Sequence, residues 1–182
     1  KEITVIPNFI DFSKYENLSD PCERNVIAKK DELVITHISN FRPLKRVIDV
    51  MKIFKKLRSK LNVRLIMIGD GPDKEKALRY AKKHELNKYV VFLGNSNEID
   101  KILCFTDLFL LPSEKESFGL SALEAMVHKV PVVCSNAGGL SEVVENGVSG
   151  FLCPVGDINQ MTNRSIEILA DQKKHAEFKN NA

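Results

Sequence analysis

The feature that most constrains the fold is a regular alternation of short apolar runs with amphipathic segments along most of the chain. The runs have the length and β-branched content of buried strands, and the segments between them repeat apolar residues with helical spacing. Strands are predicted over residues 33–39, 63–68, 90–93, 108–111, 130–134 and 150–153, and helices over 45–61, 73–84, 98–105, 118–127, 141–145 and 157–170. Strict alternation of this kind predicts an α/β fold, a Rossmann-like doubly wound parallel sheet of about six strands with helices on both faces.

Composition excludes several broad classes of function. A chain of 182 residues is long enough for one domain with a substantial core. The net charge is only +3 and the lysines are spread over helices, which argues against a nucleic-acid-binding surface. No apolar run is long enough to span a bilayer, so we expect no transmembrane segment and a cytoplasmic protein. Buried free thiols, not disulfides or zinc ligands, are expected at Cys22, Cys104, Cys134 and Cys153.

One loop, between the predicted strand 108–111 and the predicted helix 118–127, carries a distinctive pair of carboxylates. Glu116 lies on this loop, and Glu124 lies inside the helix. Loops at the carboxyl ends of parallel strands are where open α/β sheets bind ligands, and the following helix N-terminus offers N–H groups to a phosphate. A carboxylate on each side of such an anion site suits sugar hydroxyl groups, so the segment points to a sugar nucleotide. A solvent-facing Glu116 and a Glu124 satisfied by a protein partner remain the alternative interpretation.

Three cations, Arg42, Lys45 and Arg46, follow the first predicted strand. Cations at a helix start are unfavourable unless an anion is present, which favours an anion site over an ordinary solvated surface. The chain lacks the G-x-G-x-x-G and P-loop patterns, which argues against a nicotinamide dehydrogenase and a P-loop NTPase. It also lacks an Asp-x-Asp pair, so no metal site is expected and a diphosphate would be held by cations and N–H groups.

Two glycine-containing turns leave two interpretations open. Residues 69–72 (Gly-Asp-Gly-Pro) and the pair Gly138-Gly139 each follow a predicted strand. Each is either a tight turn that needs a positive φ or a place where backbone approaches a ligand. In the turn interpretation Pro72 takes the first helical position and Asp70 caps the helix. His37 lies in a strand pattern and is expected to be a core or strand-end histidine with its hydrogen bonds satisfied.

Taken together, several of these pieces resemble one known family. They are Pro-Ser-x-x-Glu-Ser-Phe-Gly-Leu from residue 112, the second glutamate, and later Pro-Val-Val, Gly-Gly, Glu-Val-Val and Asn-Gly-x-Ser-Gly-Phe-Leu. The combination resembles the C-terminal half of the retaining GT-B glycosyltransferases of family 4, from about residue 6 to about residue 169. The resemblance implies that residues 1–182 form one nucleotide-sugar-binding C-terminal domain. We expect the N-terminal acceptor domain to be absent from this chain. The chain alone would then have no catalytic activity.

The resemblance also implies roles for individual residues. Lys45 and Glu116 are the implied catalytic residues, with Lys45 on the donor diphosphate and Glu116 on hydroxyls of the transferred sugar. Glu124 is implied to bind the ribose hydroxyls, and Leu93, Gly94 and Asn95 are implied to lie beside the uracil. The implied substrate-binding residues are Asn40, Arg42, Lys45, Gly94, Asn95, Glu116, Ser117, Phe118, Gly119, Leu120 and Glu124. The UDP-sugar is a substrate, and no cofactor is expected.

Within the family, residues 37–47 and 113–119 are most similar to the bacterial branch that makes bacillithiol. Here Asn40 and Arg46 replace an arginine and a glycine that most members carry. This similarity implies transfer of N-acetylglucosamine from UDP-N-acetylglucosamine to L-malate, a small acceptor held mainly by the missing domain. The alternatives are a family 4 enzyme with another donor or acceptor in glycan or lipopolysaccharide synthesis and, in another class, a non-catalytic nucleotide-binding domain. No nucleic-acid partner is expected, and a homo-oligomer is left open.

The helix that carries Glu124 departs from the family pattern at its end. Lys129 stands where a glycine ordinarily adopts the left-handed conformation after the last helical residue. We expect local strain or a shifted cap there, with no change in function.

Overall fold

The computed structural model describes residues 9–11 and 24–182. In this part of the chain the strands are β1 (Leu33–Ile38), β2 (Val63–Ile68), β3 (Val90–Gly94), β4 (Leu108–Leu111), β5 (Val132–Ser135) and β6 (Gly150–Cys153). The helices are α1 (Arg24–Ile27), α2 (Val47–Arg58), α3 (Lys74–Lys83), α4 (Ile99–Leu103), α5 (Leu120–Val127), α6 (Leu140–Val143), α7 (Ile158–Leu169) and α8 (Gln172–Asn181).

The strands form one parallel six-stranded sheet in the order β3-β2-β1-β4-β5-β6. The predicted α/β class and doubly wound order are therefore confirmed. Strand order reverses between β1 and β4, so the connections that leave these two strands diverge to opposite faces of the sheet. This switch point is the place where such a fold opens a crevice.

Helices cover both faces because successive side chains of each strand point to opposite sides. In β1, Ile35 joins the core beneath α2, α3, α7 and α8, whereas its neighbour Val34 packs against α1 and α4. In β4, Leu110 faces the first of these cores and Phe109 faces α5 and α6. These central side chains are fully buried. The resulting three-layer arrangement places β1 and β4 side by side, paired at Ile35 with Leu108 and at Thr36 with Phe109.

The connection from β1 to α2 differs from the prediction of one helix over 45–61. Pro43–Lys45 forms a separate 3₁₀ turn, and Arg46 has φ 51°, in the left-handed region. Only after Arg46 does α2 begin, with Asp49 in its first turn. The break separates Lys45 from the helix, and the left-handed conformation of Arg46 is one that glycine adopts without a steric penalty.

Two smaller predictions also need correction. The turn at 69–72 does not place Pro72 at the first helical position, because α3 begins only at Lys74 with Asp73 as its N-cap. Asp70 accepts a hydrogen bond from the Gly71 amide and from Lys74, and so stabilises the turn. The helix predicted over 141–145 begins at Leu140 as α6, with Gly139 as its N-cap.

Cysteine chemistry is only partly as expected. Cys134 and Cys153 are free and buried, and burial is the main reason that the pKa of the Cys153 thiol rises to about 11. Cys104 is disulfide-bonded, so the expectation of a free thiol is wrong at this residue. Cys22 lies outside the described residues. None of the helices in the described ranges has the length and apolarity to cross a membrane.

Candidate functional site

A cleft of about 340 Å³ opens at the switch point between β1 and β4. Its walls are the β1–α2 connection and the β4–α5 loop, which are tied together where the Glu114 amide donates to the Leu44 carbonyl at 2.7 Å. The lining residues are Asn40, Arg42, Leu44, Lys45, Lys115, Glu116 and Ser117. Five of the predicted substrate-binding residues therefore line one concave surface, although the two segments are about seventy positions apart in sequence.

Glu116 is held by one of its two carboxylate oxygens. Its Oε1 accepts hydrogen bonds from Lys45 Nζ at 2.5 Å and from Ser113 Oγ at 2.8 Å. The side chains of Glu116 and Lys45 are only 9% and 18% exposed, so this ion pair is shielded from screening by salt. No hydrogen bond or ion pair within the described residues involves Oε2, which is left free to accept a hydrogen bond from outside.

The three predicted cations do not act together. Arg42 is exposed at the cleft, and its side chain makes no ion pair or hydrogen bond with the described part of the chain. Arg46 instead pairs with the buried Asp49, with Nε at 2.7 Å from Oδ2, and approaches Glu114 at 3.8 Å. Arg46 is therefore used structurally, and the anion site predicted from the cluster reduces to Arg42 and Lys45.

The N-terminus of α5 faces the same sheet edge. Gly119 is its N-cap with φ 96°, and no side chain caps the helix. The amides of Phe118, Gly119 and Leu120 have no hydrogen-bond acceptor among residues 9–11 and 24–182. Free N–H groups at the positive end of a helix dipole form a site for an anion, and Ser117, just before them in the chain, lines the cleft with Arg42 and Lys45.

The turn at Gly138-Gly139 supports the Glu116 loop. Gly138 has φ 56°, and a Cβ there would lie 1.8 Å from the Glu116 carbonyl oxygen. A Cβ on Gly139 would lie 2.6 Å from the Ser117 carbonyl oxygen, and the Gly139 amide donates to the Glu116 carbonyl at 3.2 Å. Of the two interpretations left open by the sequence, the structure agrees with the tight turn that needs a positive φ, and the turn packs against the backbone of the site loop.

The turn at 69–72 has the same relation to the other wall. Gly69 and Gly71 have φ 123° and 151°, and Cβ atoms there would lie 1.8 Å from the Ser39 oxygen and 2.1 Å from the Asn40 oxygen. Both glycines let the β2–α3 turn pack against the start of the β1–α2 connection. Each of the two walls of the cleft thus packs against one of the two glycine turns.

Glu124 lies apart from the cleft lining, one turn inside α5 and towards α4. It is partly buried, and no hydrogen bond to its carboxylate occurs among the described residues. Burial, reinforced by the nearby Asp100 carboxylate, raises the pKa of Glu124. Asp100 in turn accepts a hydrogen bond from His128 at 3.0 Å. A carboxylate that loses hydration without gaining a partner is a site for a hydroxyl donor.

Leu93, Gly94 and Asn95 end β3, two strands from the cleft. The Gly94 carbonyl accepts from the Gly69 amide at 2.7 Å, which ties this end to the β2–α3 turn. Leu93 and Asn95 line a hollow of about 250 Å³ with residues of α1 and α4. A larger hollow of about 560 Å³ lies between α2, Tyr80 and the β6–α7 loop, and it contains none of the predicted site residues.

Sequence reasoning missed Ser113 as a contributor to the site. Ser113 is fully buried and orients Glu116 through the 2.8 Å hydrogen bond. Its position three residues before Glu116 in a loop is a weak signal, since many loop serines bond only to water. Within the described ranges no group of three or more Cys, His, Asp or Glu residues is arranged to hold a metal ion.

Residues 21–182 match the family Glycosyl transferases group 1. N-acetyl-alpha-D-glucosaminyl L-malate synthase of Bacillus anthracis is 38% identical over 176 residues, which are 96% of this chain and 46% of that protein. UDP-Gal:alpha-D-GlcNAc-diphosphoundecaprenol alpha-1,3-galactosyltransferase of Escherichia coli is 29% identical over 187 residues, with 98% of this chain and 48% of that protein covered. The chain therefore spans about half the length of these relatives.

A solved structure extends the similarity to three dimensions. Alr3699/HepE of Anabaena, crystallised in complex with UDP, superposes with a TM-score of 0.87 at 28% identity. The match covers 98% of this chain and 50% of that protein.

Proposed function

The chain belongs to the glycosyl transferases group 1 family, and from that premise we propose that its 182 residues form the C-terminal, nucleotide-sugar-binding domain of a retaining enzyme. It is thus part of a glycosyltransferase with the GT-B architecture. The observation that carries the proposal is the cleft in which Lys45 and Glu116 meet. The UDP bound to Alr3699/HepE supports a nucleotide-sugar donor for this fold.

Glu116 is proposed to bind hydroxyls of the transferred sugar. Lys45 and Ser113 both bond to Oε1 and thereby fix the orientation of the carboxylate. The remaining oxygen, Oε2, has no hydrogen-bond donor among the described residues and suits a sugar hydroxyl donor. A carboxylate fixed in this way binds without first losing side-chain freedom, which favours precise positioning of the anomeric carbon.

The diphosphate of the donor is proposed to lie between Arg42, Lys45 and the first amides of α5. Positive charge and free N–H groups converge there without a metal ligand set in the described residues. When the glycosidic bond breaks, negative charge develops on the departing UDP, and fixed donors at that position stabilise the transition state. Lys45 and Glu116 are accordingly the proposed catalytic residues, and no metal or other cofactor is proposed.

The nucleoside end of the donor is assigned to more distant residues. Glu124, a partly buried carboxylate without a hydrogen-bond partner, is proposed to accept from the ribose hydroxyls. Leu93, Gly94 and Asn95 at the end of β3 are proposed to border the uracil.

The finer substrate assignment rests on similarity. The relative at 38% identity is named an N-acetyl-alpha-D-glucosaminyl L-malate synthase, which supports N-acetylglucosamine as the transferred sugar and L-malate as the acceptor in bacillithiol synthesis. The Escherichia coli relative is a galactosyltransferase that acts on a lipid diphosphate, so a different donor and acceptor are the competing proposal. We further propose a cytoplasmic enzyme whose acceptor is held mainly by the other half of the protein.

The first experiment is a calorimetric titration of this chain with UDP and with UDP-N-acetylglucosamine. We expect dissociation constants in the range of about 0.01–1 mM. Lys45→Ala removes a charge-assisted donor and should weaken UDP binding about tenfold or more. Lys60→Ala, an exposed lysine beyond α2, is the matched control and should leave UDP affinity unchanged.

Donor and acceptor identity need the protein that carries both halves. A panel of UDP-sugars with L-malate, followed by product analysis, should give transfer of N-acetylglucosamine with retained configuration. Transfer of galactose, or of any sugar to a lipid diphosphate, would replace the finer proposal and leave the donor-binding assignment intact. A folded chain that binds no uridine nucleotide would instead favour the non-catalytic alternative.

A further inference from the structure

A buried histidine connects the two strands that carry the cleft. His37, near the end of β1, is fully buried, and its Nδ1 lies 2.8 Å from the carbonyl oxygen of Leu110 in β4. Its Nε2 lies 2.8 Å from Ser39 Oγ, and Ser39 Oγ lies 3.3 Å from the Phe41 amide nitrogen. The ring also stacks on Phe41, with centroids 6.1 Å apart. A single side chain therefore contacts β4 and the start of the β1–α2 connection.

The partners of His37 determine its protonation. A carbonyl oxygen only accepts hydrogen bonds, so Nδ1 carries a proton and donates to Leu110. Nε2 faces the Ser39 hydroxyl. Burial lowers the pKa of His37 to about 4, so the ring is neutral near pH 7 and Nε2 accepts from the hydroxyl. The Ser39 oxygen then accepts from the Phe41 amide, so the donor and the acceptor of each hydrogen bond in the series are defined.

The last residue in this series of hydrogen bonds, Phe41, has a strained backbone and lies next to the cleft. Phe41 has φ 43°, a conformation that costs a bulky residue energy, and yet it is fully buried. Its carbonyl also accepts from the Asp73 amide at 3.0 Å. Its two neighbours, Asn40 and Arg42, both line the cleft. The direction in which these neighbours project depends on the conformation that Phe41 adopts.

We propose that His37, acting through Ser39 and Phe41, is a positioning residue that sets the donor-binding geometry of Asn40 and Arg42 and couples it to the β4 wall. The proposal rests on the proposed function for the identity of the ligand. The series of hydrogen bonds from His37 to Phe41 does not depend on the proposed function. His37 touches no substrate in this scheme. Its effect is transmitted through the loop that it holds.

Ser39→Ala is the sharpest test, because it removes the hydroxyl between His37 and Phe41 and leaves no bulk to clash. Thr36→Val is the matched control. Thr36 is buried in the same strand and its hydroxyl bonds to that of Thr106 at 2.7 Å, remote from the cleft. We expect both variants to lose thermal stability, and only Ser39→Ala to bind UDP about tenfold more weakly. If the role of Ser39 were purely structural, UDP binding would weaken equally in both variants or in neither.

A second readout does not depend on any ligand. In nitrogen-15 spectra of the unmodified chain near pH 7, His37 should show a protonated Nδ1 and an unprotonated Nε2. The Phe41 amide should exchange its hydrogen about tenfold faster in Ser39→Ala and unchanged in Thr36→Val. Full UDP affinity in Ser39→Ala, a protonated Nε2, or unchanged Phe41 exchange would each overturn the proposal. If the unmodified chain bound no UDP while the spectra were as expected, the donor assignment would fail and the positioning chain would stand.

Discussion

Replacing Gly138 with alanine tests whether the Gly138-Gly139 turn supports the Glu116 loop. The added Cβ would lie 1.8 Å from the Glu116 carbonyl oxygen, whereas such atoms essentially never approach closer than 3.0 Å. The turn and the loop must therefore separate by at least 1.2 Å, the difference between these two distances. That movement also stretches the hydrogen bond from the Gly139 amide to the same carbonyl.

The expected magnitude comes from two costs. The left-handed conformation costs an alanine about 1–2 kcal/mol, and forced overpacking typically adds about 1–3 kcal/mol. Gly147 offers a matched control, because it has φ 83° and a Cβ there would meet nothing within 4 Å. We therefore expect the free energy of unfolding to fall by about 1–2 kcal/mol in Gly147→Ala and by about 2–5 kcal/mol in Gly138→Ala.

Urea unfolding measures both losses, and calorimetry with UDP measures the consequence for the site. Gly138→Ala displaces the backbone of Glu116 and should weaken UDP binding, whereas Gly147→Ala should bind UDP like the unmodified chain. Equal losses of stability in the two variants, with UDP affinity unaffected in both, would refute the reasoning.

Three further predictions follow from single residues. The free energy of unfolding should fall as the pH falls from about 6.5 to about 4, because His37 binds a proton in the unfolded chain and stays neutral when buried in the folded one. Urea unfolding should show a loss over this window about 3 kcal/mol larger in the unmodified chain than in His37→Asn. Lys129 has φ 57° after α5, so Lys129→Gly should raise the free energy of unfolding by about 1 kcal/mol, and an unchanged or lower value would contradict the strain argument. Glu124→Gln removes a carboxylate whose pKa burial raises, so it should increase the melting temperature at pH 7 and weaken UDP binding; a lower melting temperature would show that Glu124 is satisfied within the protein.

The sheet could be predicted from the sequence because each strand and helix has a local pattern of the right period. The predicted strands and most helices agree with the structure to within a few residues. Helix α8 was missed, since Phe178 is the only buried residue that it contributes and a single apolar residue gives no period. The break at Arg46 was also missed, because Lys-Arg-Val continues a helical pattern and no glycine marks the left-handed position.

The site was predictable in its residue types and not in its connections. The pattern around Glu116 and the cations after β1 indicated an anion site, but the ion pair of Lys45 with Glu116 joins residues 71 positions apart. The hydrogen bonds of Ser113 and His37 are likewise tertiary, and no local period reveals them. Arg46 illustrates the limit most clearly, because only the structure shows that Asp49 takes its charge.

An amide-resolved titration of the nitrogen-15-labelled chain with UDP tests the central claim most directly, because it locates the bound nucleotide. The account predicts that the largest shifts occur at Gly119 and Leu120, at the start of α5, and at Gly94, at the end of β3. Shifts concentrated instead around Ser59 and Gly156, in the larger hollow beside α2, would contradict it.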